Sequence, residues 1–455
     1  MGLIDTLTTL TKVPMLVKVK RELALRPLET VDSPGARVED LAQRFPNHDA
    51  TIFEGTTLSW QQLNERANQY AHALAESGIG HGDTVSVLME NRHEFLITLV
   101  ALNKLGAVGA LINTNLRGRP LEHCVTVANS KMFIFGGELS EALEETKSEL
   151  PLQEGRDYIY VNDGASPASA PNWALDIDPL ADRQPKDNPQ RTAQNTLGDS
   201  SLYIYTSGTT GLPKAAVLSN RRHLMSASMA ANAGFLCDEN DVIYVCLPMY
   251  HGTGLMLGVG ASLMSGAALV IRRKFSASNF LPDVREHKVT CMIYIGELCR
   301  YLMNTEAKPD DAKTTLKKVM GNGLRPDIWH AFKQRFGLER ICEFYGASEG
   351  NVSFANILNK DLTVGMTSQE VALVRYDVDE DEVVLGSDGY AERVSVGEPG
   401  LLLGKITENT VFEGYTDAEA TESKVMRNVL AKGDAWFNSG DLLKEVDVGY
   451  TLGYP

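Results

Sequence analysis

The sequence predicts a layered α/β architecture that gives way, near residue 370, to a small β-barrel or sheet. Three observations carry this. Helix-period and strand-period segments alternate to about residue 345, which is the pattern of layered sheets and helices. From about 370 the texture changes to short β-rich runs, "EVALVRYDV", "GLLLGKI" and "TVFEGY", separated by Gly, Pro and Asp turns. The length of 455 residues exceeds what one core supports, so two or three domains are expected.

Taken in order, residues 1–26 stand apart. Lys12, Lys18, Lys20, Arg21 and Arg26 face only Asp5 and Glu22 among interspersed leucines and valines. This basic segment suits an anionic membrane surface, so peripheral membrane contact through residues 1–26 is expected. "MGLIDT" also matches the myristoylation pattern. No charged n-region precedes a clean apolar core, so no cleavable signal peptide is expected. "LSWQQLNERANQYAHALAESGIGHGD" (58–83) has helical spacing at Leu63, Ala67, Tyr70 and Leu74, with Ser59 as N-cap and Gly78 and Gly80 as a stop. "TVSVLMEN" (84–91) reads as a buried strand. "FLITLVALNKLGAVGALIN" (95–113) approaches a membrane span in length. Asn103, Lys104 and its two glycines favour a buried helix followed by a strand. Residues 162–195, rich in Pro, Ala and Asp, read as a linker.

Charge and cysteine content exclude some classes. A net charge of −16 argues against a nucleic-acid partner. It leaves a nucleotide ligand open, because screening over ~8 Å lets a few local cations decide what a pocket sees. Cys124, Cys237, Cys246, Cys291, Cys299 and Cys342 show no CxxC pair and no metal-ligand spacing. They read as reduced thiols of a cytoplasmic protein.

The stretch "YTSGTTGLPKAAVL" (205–218) carries the chemistry. Gly208 and Gly211 allow positive φ, so successive N–H groups can converge on one anion. Thr206, Ser207, Thr209 and Thr210 add hydroxyl donors, and Lys214 a mobile charge suited to phosphate. The glycine and lysine spacing is not that of a Walker A loop, and "AAVL" looks like a second strand. The expectation is a polyphosphate cradle on a strand–loop–strand hairpin. "GASEG" (346–350) offers an alternative, a nucleophile elbow with Ser348, and "HGTG" (251–254) resembles a lipase oxyanion loop. That fold needs a histidine base after the serine, and all nine histidines precede Ser348. A serine esterase is therefore the weaker reading, alongside a non-catalytic module that binds nucleotide and fatty acid.

"YTSGTTGLPKAA", "YGASEG" and "WFNSGDL" together resemble the adenylate-forming acyl-CoA synthetase superfamily. "YIGELCRYL" (294–302), "GNGLRPDIW" (321–329), "FYGASEGN" (344–351), "GEPGLLLGKI" (397–406) and "GDAWFNSGDL" (433–442) resemble its branch of fatty-acid transport proteins and very-long-chain acyl-CoA synthetases. The resemblance runs from about residue 50 to the end. It implies the large N-terminal domain of adenylate-forming enzymes, two layered α/β subdomains plus a small β-barrel. The corresponding division is a basic segment over 1–34, an α/β core over 35–370 and a barrel over 371–455.

The resemblance also implies roles. Residues 206–214 grip the β- and γ-phosphates of ATP, with Thr206 and Lys214 prominent among Ser207, Gly208, Thr209, Thr210 and Gly211. Gly321, Asn322, Gly323 and Leu324 line one side of adenine through the backbone, and Tyr345, in the run Gly346, Ala347, Ser348, stacks on the other. Glu349 holds Mg²⁺, Asp441 accepts from the ribose hydroxyls, and His251, in "PMYHGTG", positions the carboxylate and α-phosphate. ATP, Mg²⁺ and CoA are the implied cofactors and a long-chain fatty acid the substrate. The apolar run 254–271, with small residues that leave space, is a candidate wall for the acyl tail. Ser348 and Ser439 stand where relatives often have threonine. Family members continue into a C-terminal domain carrying the lysine of the adenylation step and part of the CoA site, so this chain is expected to bind both substrates but to catalyse poorly.

Overall fold

The computed structural model describes residues 13–164, 169–206, 212–346, 350–408, 410, 412–447 and 450–453. They fall into two compact units. One comprises residues 26–232 and 236–293, the other residues 1–25, 233–235 and 294–455.

The first unit holds a seven-stranded sheet in the order Leu175–Asp176, Tyr158–Val161, Met132–Gly136, Thr84–Leu88, Val108–Leu111, Ser200–Thr206, Lys214–Ser219. All neighbours are parallel except the last pair, an antiparallel hairpin. Thr84–Leu88, Val108–Leu111, Met132–Gly136 and Tyr158–Val161 are buried throughout, as strands covered on both faces require. Val242–Val245, Ala268–Ile271 and Asp49–Phe53 form a second parallel set, closed by the antiparallel Thr56–Ser59.

Local signals set the helices here. Ser59 caps Trp60–Glu76 with a full capping box: its hydroxyl accepts from Gln62 N–H while the Gln62 side chain accepts from Ser59 N–H. The run from 95 onward is the end of helix His93–Lys104 followed by strand Val108–Leu111. Lys104 is fully buried within it, its ammonium donating to Glu39 and Asn64 at 2.8 Å each. Burial lowers its pKa to about 8, partly opposed by Glu39.

Residues 162–195 are not a linker. The segment belongs to the first unit and contributes the strand Leu175–Asp176 and the helix Ile177–Ala181. Trp173 stacks on Phe135 at 5.2 Å and lies 5 % exposed. Proline and aspartate serve capped turns here, as where Asp176 accepts from Asp178 N–H, and one aromatic ring supplies the anchor.

In the second unit the parallel pair Lys318–Asn322 and Arg340–Gly346 is extended by the antiparallel Ser353–Ala355. The β-rich end is a half-barrel. Its antiparallel sheet runs Val371–Val374, Pro399–Lys405, Ala435–Asp447, Val425–Arg427, with Tyr450–Gly453 also paired to Ala435–Asp447. Leu401 and Leu403 pack on one side with Trp436, and Leu402 on the other with Phe437. Within the run "TVFEGY", residues 412–414 are loop rather than strand, with Gly414 at φ +74° and the Phe412 ring 4.9 Å from Phe437. Packing of one ring wins over strand propensity.

No helix among the described residues is long and apolar enough to cross a membrane. No disulfide links the described cysteines, five of which are buried.

Candidate nucleotide site

The candidate phosphate stretch lies on two antiparallel strands, Ser200–Thr206 paired with Lys214–Ser219, and Thr206 sits directly opposite Lys214. The two residues expected to be prominent in phosphate binding are thus cross-strand neighbours. Ser207, Gly208, Thr209, Thr210 and Gly211 lie outside the described residues. The Thr206 hydroxyl is buried with no hydrogen-bond partner among the described residues, a donor left without a mate. The hairpin is fixed on both sides by the helix Gly118–Val127. The Tyr205 hydroxyl donates to Cys124 O at 2.6 Å, and His123 Nε2 lies 3.0 Å from Pro213 O. Neither anchor is legible in the motif.

His251 follows a short turn closed by its N–H to Pro248 O at 3.1 Å, and its own carbonyl accepts from Leu255 N–H. Its imidazole is held below the ordinary histidine pKa by loss of water around the charged form, so it is neutral at pH 7. The run behind it does not leave space in the way its small residues promised. Gly254 to Val259 are buried, a Cβ on Gly258 would touch Ile293 and Val245 at 3.1 and 3.3 Å, and one on Gly260 would meet Ala227 Cβ at 2.8 Å. These glycines serve close packing.

In the second unit, Gly321 and Asn322 end the strand Lys318–Asn322, and Gly323 (φ +81°) turns the chain to Leu324. Asn322 and Gly323 are exposed and Leu324 is buried. Tyr345 and Gly346 end the neighbouring strand Arg340–Gly346, while Ala347, Ser348 and Glu349 lie outside the described residues.

The Tyr345 hydroxyl donates to Asp441 Oδ2 at 2.6 Å, and its ring packs edge-on to Phe354 at 6.1 Å. A bulge delivers Asp441. Leu401 pairs with Leu442 but Leu403 with Asn438, so Ser439, Gly440 and Asp441 all stand against Leu402. Extra residues of this kind bend a strand and re-aim a side chain. Gly440 takes φ +77°. Ser439 Oγ donates to Leu402 O at 2.8 Å and accepts from Asp441 N–H at 3.1 Å. Ser439 therefore pins the bulge, a role that explains why a hydroxyl residue suffices there.

Sequence reasoning missed Glu343. It is 3 % exposed, next to Gly321 in register, and its carboxylate accepts from Gly323 N–H (2.9 Å), Leu324 N–H (3.0 Å) and the Tyr294 hydroxyl (2.5 Å). Burial raises its pKa to about 7 against the three donors. The signal available was a charged residue inside an apolar strand run, since an unpaired Glu is almost never buried.

Sheets of this order, with the hairpin and the half-barrel, define the large domain of adenylate-forming enzymes. The chain belongs to the AMP-binding enzyme family, whose model matches residues 38–416. It is 35 % identical to the medium/long-chain-fatty-acid–CoA ligase FadD6 of Mycobacterium tuberculosis, covering 98 % of this chain and 73 % of that protein. It is 40 % identical to the rat long-chain fatty acid transport protein 2 over 88 % of this chain and 65 % of that one. A crystal structure described as a putative long-chain-fatty-acid CoA ligase from Rhodopseudomonas palustris shares the fold at a TM-score of 0.75 and 22 % identity, over 93 % of this chain and 98 % of that one.

Proposed function

We propose that this protein is an AMP-forming ligase joining long- or very-long-chain fatty acids to CoA. The observation that carries the nucleotide half is the Tyr345–Asp441 hydrogen bond, built by a three-residue bulge between residues nearly a hundred apart in sequence. The substrate class comes from the names of the relatives, a fatty-acid ligase and a fatty acid transport protein.

A carboxylate is a poor electrophile. Attack of its oxygen on the α-phosphorus of ATP gives acyl-AMP and pyrophosphate, after which the CoA thiol displaces AMP. Such chemistry needs positioning and charge neutralisation rather than an enzyme nucleophile. In this reading Lys214, Thr206 and the hydroxyl run 207–210 hold the phosphates. The backbone of Gly321–Leu324 and the Tyr345 ring hold the base, and Asp441 the ribose. Neutral His251 can donate a hydrogen bond to the reacting carboxylate without competing for its charge. Magnesium would be held by Glu349, the ligand that the family resemblance implies, together with the phosphates themselves. When bound, it would neutralise phosphate charge.

The test is fatty-acid-dependent exchange of pyrophosphate into ATP. Exchange that rises from octanoate to palmitate supports the proposal, and exchange with acetate or benzoate but not palmitate overturns the chain-length part. We further propose peripheral membrane contact through residues 1–26. The helix Val13–Glu22 has Lys20 and Arg21 in its last turn and Val17 64 % exposed. Removing residues 1–26 should abolish sedimentation with anionic liposomes; unchanged sedimentation refutes it.

A further inference from the structure

We infer that Glu343 is a positioning residue for nucleotide binding: its ionised carboxylate, lying under the turn Gly321–Leu324, holds that turn in the shape that receives the base. The inference rests on the nucleotide reading of the second unit and adds to it a residue and a pH dependence.

The geometry leaves the turn few other ways to be held. On one side it meets backbone. A Cβ on Gly321 would fall 2.2 Å from Tyr294 O, and a Cβ on Gly296 would fall 1.7 Å from Gly323 O. On the other side both N–H groups after Asn322 point inward to Glu343, one to each carboxylate oxygen. Two adjacent backbone donors on one carboxylate form a small anion-binding nest. Here the anion is built into the protein, and the side of the turn away from it is exposed at Asn322 and Gly323. Tyr294, itself buried at the start of the unit, supplies the third donor.

Among the described residues three neutral donors hold this carboxylate. The other titratable groups around it are the thiols of Cys342, beside it on its strand, and Cys299, on the helix Gly296–Met303 near Tyr294. Burial pushes Cys342 up to about 11, so it is uncharged at neutral pH. Arg340, on the same strand, spends its guanidinium on the carbonyls of Ala233, Gly234 and Ile357. Burial, with no cation among the described residues to clamp its charge, raises Glu343 to about 7. A protonated carboxyl keeps at most one good acceptor oxygen and brings a donor of its own, so it cannot satisfy both N–H groups and the phenol together. Protonation should loosen the turn.

The experiment measures ATP affinity by calorimetry at pH 8 and pH 6 in the wild type, Glu343→Gln and Tyr294→Phe. Inorganic tripolyphosphate serves as a probe that lacks the base. If only the ionised form receives the base, the ratio of wild-type to Glu343→Gln affinity falls about tenfold between pH 8 and pH 6. Taking the ratio cancels the titration of the nucleotide and of His251. Tyr294→Phe removes a donor to the charged form and should move the midpoint of the wild-type pH profile upward. Tripolyphosphate binding should be alike in all three proteins. A wild type that binds no ATP at pH 8 overturns the nucleotide reading and this inference with it. A wild type that binds ATP while its ratio to Glu343→Gln stays constant overturns this inference alone, since a merely structural glutamate shifts stability without a pH-dependent ratio. If Glu343→Gln fails to fold, Tyr294→Phe decides, and an unmoved midpoint overturns the proposal.

Discussion

The paired strands Ser200–Thr206 and Lys214–Ser219 of the first unit and the turn Gly321–Leu324 of the second present their polar groups in opposite ways. In the hairpin the candidate binding groups are side chains, Thr206 and Lys214, presented at paired strand ends, with the Thr206 hydroxyl buried and without a partner among the described residues. In the turn the candidate binding groups are backbone, and the buried Glu343 carboxylate, itself bonded by Tyr294, holds that backbone in place. A site made of side chains tolerates truncation in its fold and loses affinity. A site made of backbone fails by losing its shape.

The largest effect separating the two should come from Gly296→Ala. The added methyl falls on Gly323 O, and overpacking of this kind costs ~1–3 kcal/mol. Thermal unfolding should drop by several degrees together with ATP affinity. Thr206→Ala should leave the melting temperature within about a degree, because the hydroxyl it removes has no partner among the described residues to lose. A stable Gly296→Ala protein with normal ATP affinity would erase the contrast.

Acid and base should also act on the two regions with opposite sign. In the first unit His93 and His223 are buried, and desolvation lowers each to about 4. Their folded pKa lies below the ordinary 6.5, so the unfolded state takes up protons first. The stability they contribute is present above pH 6.5 and is lost as pH falls toward 4. Glu343 is raised from 4.5 to about 7, so its stability contribution is full below pH 4.5 and is lost as pH rises through 7. Each amounts to ~3 kcal/mol across its window. His223→Asn should flatten the acid limb of the melting profile and Glu343→Gln the limb between pH 5 and 7. An unchanged limb in either variant rejects that half.

Lys214→Ala tests the hairpin directly. Loss of a charge-assisted contact to phosphate, ~2 kcal/mol, corresponds to roughly thirtyfold weaker ATP binding with the fold intact. Calorimetry beside a thermal melt checks both parts. The smallest effect should be Tyr345→Phe. It keeps the ring against Phe354 and removes only the hydrogen bond to Asp441, worth ~1 kcal/mol or about fivefold in ATP affinity. A hundredfold loss would mean that the hydroxyl, rather than the ring, carries the recognition.

The sequence alone determined the elements whose signals are local. Ser59 and Gln62 cap a helix three residues apart. The apolar run Thr84–Leu88 reads as a strand covered on both faces, and the break between a glycine-rich loop and "AAVL" sets the hairpin. Period, spacing and turn chemistry are properties of a few consecutive residues, so they survive without a partner in view. Only the tertiary structure decided the rest. Residues 162–195 carry the composition of a linker, yet one tryptophan finds Phe135 and the segment packs. "TVFEGY" has strand propensity, yet Phe412 finds Phe437 and residues 412–414 stay a loop. Asp441 looks like a turn aspartate until the register of its strand against Leu401 and Leu403 places it on a bulge beside Tyr345. Glu343 stands out only as a charge within an apolar strand run until two backbone N–H groups and a phenol from distant positions converge on it. The free energy of such groups is set by neighbours brought together across the chain, and no local pattern records who those neighbours will be.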